Sequence, residues 1–172
     1  MALRRILTIG DPALRKPARS VEKFGARLHM LLDDMANTMR EAEGCGLAAP
    51  QVGILQRVAV IHMGGEEDAL IELVNPEIAA AEGEEEGVEG CLSVPGRRGY
   101  VFRPAAVTVR AQDRFGTPFE LSGEGMLARC LCHEIDHLYG RLYVDVMTRE
   151  APMDEDGAEQ GGAVDDAREE VG

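Results

Sequence analysis

Residues 133–137 read His-Glu-Ile-Asp-His, and this pentapeptide constrains the chain more than any other segment. It lies in a run of apolar positions with helical spacing, Met126, Leu127, Cys130, Leu131, Ile135 and Leu138. The run starts near Ser122–Glu124 and stops at Gly140, which predicts a helix over that stretch. Four residues of α-helix turn through about 400°, so His133 and His137 share one face, about 40° and one turn apart. Two imidazoles so placed can converge on one metal ion. Glu134 then stands beside it, positioned to take a proton from a water activated there.

A catalytic metal of this kind needs a third protein ligand and an open coordination position. No histidine follows His137, and Glu150 leads into the C-terminal tail, so the candidates lie upstream: His29, His62 and Cys91. Cys91 is the unusual one. Its setting, Glu89-Gly90-Cys91-Leu92-Ser93, is polar and glycine-flanked, whereas a cysteine used for packing is more often flanked by apolar residues. Cys45, Cys130 and Cys132 read as small packing residues, with oxidation as the second reading for Cys45 and Cys132.

The rest of the chain reads as mixed helix and strand. Ile6–Ala18, with Pro12 and Pro17, reads as an extended, turn-rich arm. Phe24, Leu28, Leu31, Leu32, Met35 and Met39 recur at three- and four-residue spacing, which predicts a helix from about 25 to 43 ending at Gly44. Gly44-Cys45-Gly46-Leu47-Ala48-Ala49-Pro50-Gln51 is small, uncharged and reads as a loop. Strands are expected at 57–63, at 70–75 (closed by Asn75-Pro76), and at 99–103, 106–112 and 118–121, with a hairpin turn at Asp113–Thr117. The glutamate-rich stretch 81–89 reads as a connector.

Three segments together resemble the peptide deformylases: Gly44–Gln51, Glu89–Ser93 and His133–His137, in the family's order and with its typical spacings. The resemblance covers about residues 3–148. It implies an α+β fold: small antiparallel sheets of mixed strands around a central metal-binding helix, with an N-terminal helix. It also implies a metal-dependent hydrolase that removes the N-formyl group from the initiator methionine of new polypeptides. Carried over residue by residue, Cys91, His133 and His137 resemble the metal ligands and Glu134 the general base and acid. Gln51 and the backbone N–H of Leu92 resemble the oxyanion donors, while Gly46, Glu89 and Gly90 match substrate-binding positions. The family's ion is usually Fe²⁺, with Zn²⁺ possible, and a thiolate ligand suits softer ions. Cys132 departs from the Gln usual in the family, and Cys45 from Ile or Val. An HExxH endopeptidase is the competing activity, disfavoured by the missing downstream ligand. A non-enzymatic relative would require the loss of Glu134 or a ligand.

Charge narrows the partners. The chain has 18 basic and 31 acidic residues and a net charge of −13, which opposes a nucleic-acid surface. No apolar run approaches the roughly 20 residues that span a bilayer, and no secretory signal is visible, so a cytoplasmic protein is expected. Residues 1–150 read as the catalytic domain and 151–172 as an acidic tail. That tail holds eight acids and one Arg, so it carries −7 of the total. Without Leu, Ile or aromatic residues it is expected to be disordered. Any ribosome proximity would lack a basic docking tail.

Overall fold

In the computed structural model, which describes residues 2–64 and 69–153, the helical pattern after Phe24 becomes α1, Ala26–Glu41. It buries Leu28, Leu31, Leu32, Met35 and Met39, the face its spacing predicts. These side chains pack on Leu47, Ala49, Val58, Val60 and Val74 to form one core cluster.

The strands form two antiparallel sheets. The larger runs in the order β1 (Gly46–Ala48), β2 (Val58–His62), β3 (Leu70–Glu82), β6 (Ala106–Gln112), β7 (Pro118–Glu124). The smaller runs β4 (Glu85–Cys91), β5 (Val94–Arg103), β8 (Arg149–Glu150). Helix α2, Gly125–His137, packs against β1, β2, β6 and β7 of the first sheet and β5 of the second. It is therefore buried on nearly every side, from Ala128 through Ile135. Its apolar side chains meet Ala48, Ala59, Ile61, Leu73, Val107 and Val109 in a second cluster. Each fully buried Leu or Ile there contributes about 1.5–3 kcal/mol, so the packing that stabilises the fold also holds the histidine-bearing helix in place. The family's α+β layout is the one observed.

The structure departs from the sequence reading at several elements: β5 begins at Val94 rather than 99, and β7 runs on to Glu124, where the sequence predicts the start of the helix. Strand β3 does not stop at Asn75-Pro76 but runs on to Glu82. The ladder shifts register between Val74 and Glu77, so Pro76, which has no N–H to give, falls in the irregular step. Asn75 takes φ 52° there, and its side chain donates to the Val21 carbonyl (3.0 Å) and to Gln112 Oε1 (2.8 Å). The 81–89 stretch is strand rather than connector: only Gly83 and Glu84 separate β3 from β4. Glu82, Glu84, Glu85 and Glu86 are exposed while Glu89 is buried. Gly46–Ala48 is not loop but the edge strand β1, paired with β2, and a 3-10 turn at Ala49–Val52 follows it.

The Asp113–Thr117 hairpin turn forms as expected between β6 and β7. The N-terminal arm is extended apart from a 3-10 turn at Pro12–Arg15. Its backbone N–H groups at Leu7 and Ile9 donate to the carbonyls of Gln51 and Ser93, both at 2.8 Å, so the arm clamps two segments of the site together. Residues 154–172, most of the acidic tail, lie outside the described residues. Ala151 still donates a 2.8 Å hydrogen bond to the Arg98 carbonyl.

Candidate metal centre and active site

Cys91 ends β4, and His133 and His137 lie one turn apart on α2. The fold brings them together: one ligand atom from each lies within 4.8 Å of the others, and all three residues are buried. Cys91 Sγ stands 3.4 Å from His137 Nε2. Sulfur at about 2.3 Å and nitrogen at about 2.0 Å from a tetrahedral ion would be separated by about 3.5 Å. The cluster therefore fits one divalent ion. His29 and His62, the other upstream candidates, are not in the cluster.

The unpartnered atoms point the same way. Among the described residues, His133 Nε2 and both carboxyl oxygens of Glu134 are buried without a hydrogen-bond partner. Polar atoms so placed are costly unless a ligand satisfies them. Burial pushes the Glu134 carboxyl up to about 8; the Cys45 and Glu89 charges add to the rise, and those of His133 and Arg103 oppose it. A carboxyl near neutrality is suited to accept and return a proton. For His137, burial first and then the positive charges of His133 and Arg103 hold the imidazole well below its usual range, in the neutral form a metal needs.

Glu89 is the hub beneath the ligands. Burial alone would raise its pKa, but hydrogen bonds from Arg103 and His133 hold it well below the usual carboxylate range. Its Oε1 accepts from His133 Nδ1 at 2.8 Å and from Arg103 at 3.0 Å. Its Oε2 accepts from Arg103 Nε at 2.8 Å and from Arg129 at 3.1 Å. Arg103 also reaches Asp136 at 2.7 Å. The Glu89 bond fixes the His133 tautomer, leaving Nε2 for the metal.

Gln51 sits in the 3-10 turn after β1. Its Oε1 accepts from the Ala48 N–H at 2.9 Å, and its Nε2 donates to Ser93 Oγ at 3.0 Å and to Cys91 Sγ at 3.6 Å. The amide is thus oriented with its N–H groups toward the metal side. Leu92, half-buried, occupies the tight β4–β5 turn beside Cys91. Gly46 lies against the acid/base candidate: a Cβ there would stand 2.4 Å from Glu134 Oε2.

The profile of the polypeptide deformylases matches residues 3–153. The chain belongs to the peptide deformylase family. It is 59% identical to the peptide deformylase of Caldicellulosiruptor bescii over 149 residues, 87% of this chain and 88% of that one. It is 55% identical to that of Alkaliphilus metalliredigens over 150 residues, 87% of this chain and all of the relative. The crystal structure of a Legionella pneumophila peptide deformylase superposes with a TM-score of 0.83 at 52% identity, covering 85% and 86% of the two chains. As a peptide deformylase, the enzyme is a metal-dependent hydrolase that removes the N-formyl group from newly made polypeptides. No helix among the described residues is long and apolar enough to cross a membrane.

Sequence reasoning missed two participants. Arg129, in the middle of α2, is buried and bonds Glu89, the Val101 carbonyl (2.8 Å) and the Glu85 carbonyl (2.9 Å). Gly87 leaves it room, since a Cβ there would meet the guanidinium at 2.8 Å. A basic residue within an otherwise apolar helix face was the available signal. Ser93 is the second: its hydroxyl accepts from the Gln51 amide and so orients it.

Proposed function

We propose that Cys91, His133 and His137 hold the catalytic ion and that Glu134 carries the proton. The observation that carries this reading is the pairing of three convergent buried ligands with an adjacent buried carboxyl that has no protein partner. A bound divalent ion supplies Lewis acidity that activates water and polarises the formyl carbonyl. Glu134 accepts the proton of the attacking water and delivers it to the departing amine nitrogen. The Gln51 amide and the Leu92 N–H donate to the developing oxyanion, each such donor being worth about 3 kcal/mol. Resemblance to the family makes Fe²⁺ the working ion, with Zn²⁺ as the alternative; a thiolate with two imidazoles can hold either.

Substrate pairing is supported by topology. β1 and β4, which carry Gly46 and the Glu89-Gly90 pair, are both edge strands, and edges accept an extended peptide through main-chain bonds. Gly46 and Gly90 would meet the substrate through backbone, while the Glu89 side chain, already bonded to three partners, acts through His133. A pairing of this kind gives affinity with little selectivity beyond the formyl-methionine. We further propose that residues 1–150 suffice as the catalytic domain and that the enzyme works in the cytoplasm, meeting chains near the ribosome without a basic tail.

The test is deformylation of formyl-Met-Ala-Ser by wild type and Glu134→Gln, with bound metal quantified after anaerobic purification. Lost turnover with retained metal, iron in the wild type, is the expected result. Unchanged turnover in the variant would remove Glu134 from the role.

A further inference from the structure

Arg129 stands four residues, about one helical turn, before His133, so the two share a face of α2. It is only 2% exposed. The Glu89 carboxylate bridges the pair. Its Oε2 accepts from Arg129 Nη1 at 3.1 Å, and its Oε1 accepts from His133 Nδ1 at 2.8 Å. The remaining guanidinium bonds run to main chain. Nη1 also donates to the Val101 carbonyl of β5 at 2.8 Å, and Nη2 donates to the Glu85 carbonyl of β4 at 2.9 Å. Gly87 of β4 lies against the same group: a Cβ there would stand 2.8 Å from Cζ and from Nη2. The smaller sheet therefore has a gap that the guanidinium fills.

We propose that Arg129 is a positioning residue for the metal ligand His133, acting through Glu89, and that Gly87 provides the space it needs. The inference rests on the ligand assignment proposed above. Arg103, the other cation on Glu89, bonds only side chains there, Glu89 and Asp136, which can turn together. Arg129 is anchored to two carbonyls fixed in a strand ladder. With Oε2 held to that reference, the carboxylate cannot rotate Oε1 away from Nδ1. A planar guanidinium directs its N–H groups along fixed lines and can hold all three acceptors at once; an ammonium cannot. The outer hydrogen bond of a ligating histidine sets its ring orientation, and loosening that bond weakens metal binding. Arg129 thus links the packing of α2 on the smaller sheet to the geometry of the metal cluster.

The test uses the full chain reconstituted with zinc or cobalt(II). Wild type, Arg129→Met, Arg129→Lys and Gly87→Ala are compared in four measurements. These are zinc affinity by chelator competition, the visible cobalt(II) spectrum, kcat and KM for formyl-Met-Ala-Ser, and thermal melting. Arg129→Met should bind zinc roughly 10-fold more weakly, with altered cobalt absorption and a lower kcat at wild-type KM. Arg129→Lys keeps the charge without the fork and should recover only part of the affinity. Gly87→Ala changes no charge, yet by displacing the guanidinium it should alter the cobalt spectrum in the same direction. In a Glu89→Gln background, Arg129→Met should cost no further zinc affinity, because the route is already broken. Variants that melt lower but keep wild-type zinc affinity and cobalt spectrum would reduce Arg129 to a packing role and overturn the proposal. An undiminished effect of Arg129→Met in the Glu89→Gln background would overturn it too. His133→Ala is the separate control: wild-type zinc affinity there would overturn the ligand assignment itself. Should Arg129→Met fail to fold, Arg129→Lys and Gly87→Ala decide the question by the same measurements.

Discussion

Glu89 Oε1 accepts a 2.8 Å hydrogen bond from His133 Nδ1, and the opposite nitrogen of that ring is the one left to face the metal cluster. The carboxylate is fully buried and also neutralises Arg103 and Arg129. Glu89→Gln keeps the shape but removes the charge. Zinc affinity should fall roughly 10- to 100-fold, as for other partners of metal-bound histidine. Stability should fall by about 3 kcal/mol, because two buried guanidinium groups lose their counter-charge. Competition with a chromophoric chelator and thermal melts measure the two effects; unchanged affinity would show that Glu89 does not set the His133 geometry.

Gly46→Ala places a methyl group 2.4 Å from Glu134 Oε2 and 2.9 Å from its Cγ. Glu134 is fully buried and has little room to retreat. A shift of the acid/base by a fraction of an ångström should lower kcat by about 100-fold, while bound metal stays at the wild-type level. Steady-state kinetics with metal analysis decides it, and wild-type kcat in this variant would count against the close approach having a catalytic purpose.

The N-terminal arm is pinned to α1 by Asp34, which accepts from the Ala2 N–H at 2.9 Å and from Arg4 at 3.0 Å. The Ala2 hydrogen bond, and then Arg4, lower the Asp34 pKa below its ordinary 3.8 in spite of burial. A depressed folded-state pKa means that the stabilisation is complete above about pH 4 and is lost as pH falls through the lower folded value. Asp34→Asn should therefore melt below wild type at pH 7, with the gap closing below about pH 4. Parallel melts across that range are the check; a gap that persists at pH 2–3 would assign the stabilisation to shape rather than charge.

The family match ends at residue 153, where the acidic segment begins to dominate. A chain ending at Met153 keeps the Ala151 bond to Arg98 and should deformylate formyl-Met-Ala-Ser at close to the full-length rate. A large fall in kcat on truncation would assign the tail a part in catalysis.

The Arg129–Glu89 contact shows where reading the sequence stops. The two residues are 40 positions apart, and nothing local to either one names the other as its partner. Their pairing in one buried network appears only when β4 is laid against α2. Likewise, Asn75-Pro76 reads locally as a strand end. The strand continues because Asn75 finds partners on Val21 and Gln112, contacts that no local pattern contains.

The sequence by itself determined the helix that presents His133, Glu134 and His137, because helical periodicity is local and a four-residue spacing fixes one face. It also marked Cys91, whose polar, glycine-flanked setting is readable within five residues, and the acidity concentrated in the last 22 residues. The tertiary structure decided that Cys91 meets the two histidines. It also decided that Glu89 reaches His133 and that Gly46 crowds Glu134. Those relations depend on how separate elements are packed together, and burial, by removing water as the competing partner, gives each of them its energy.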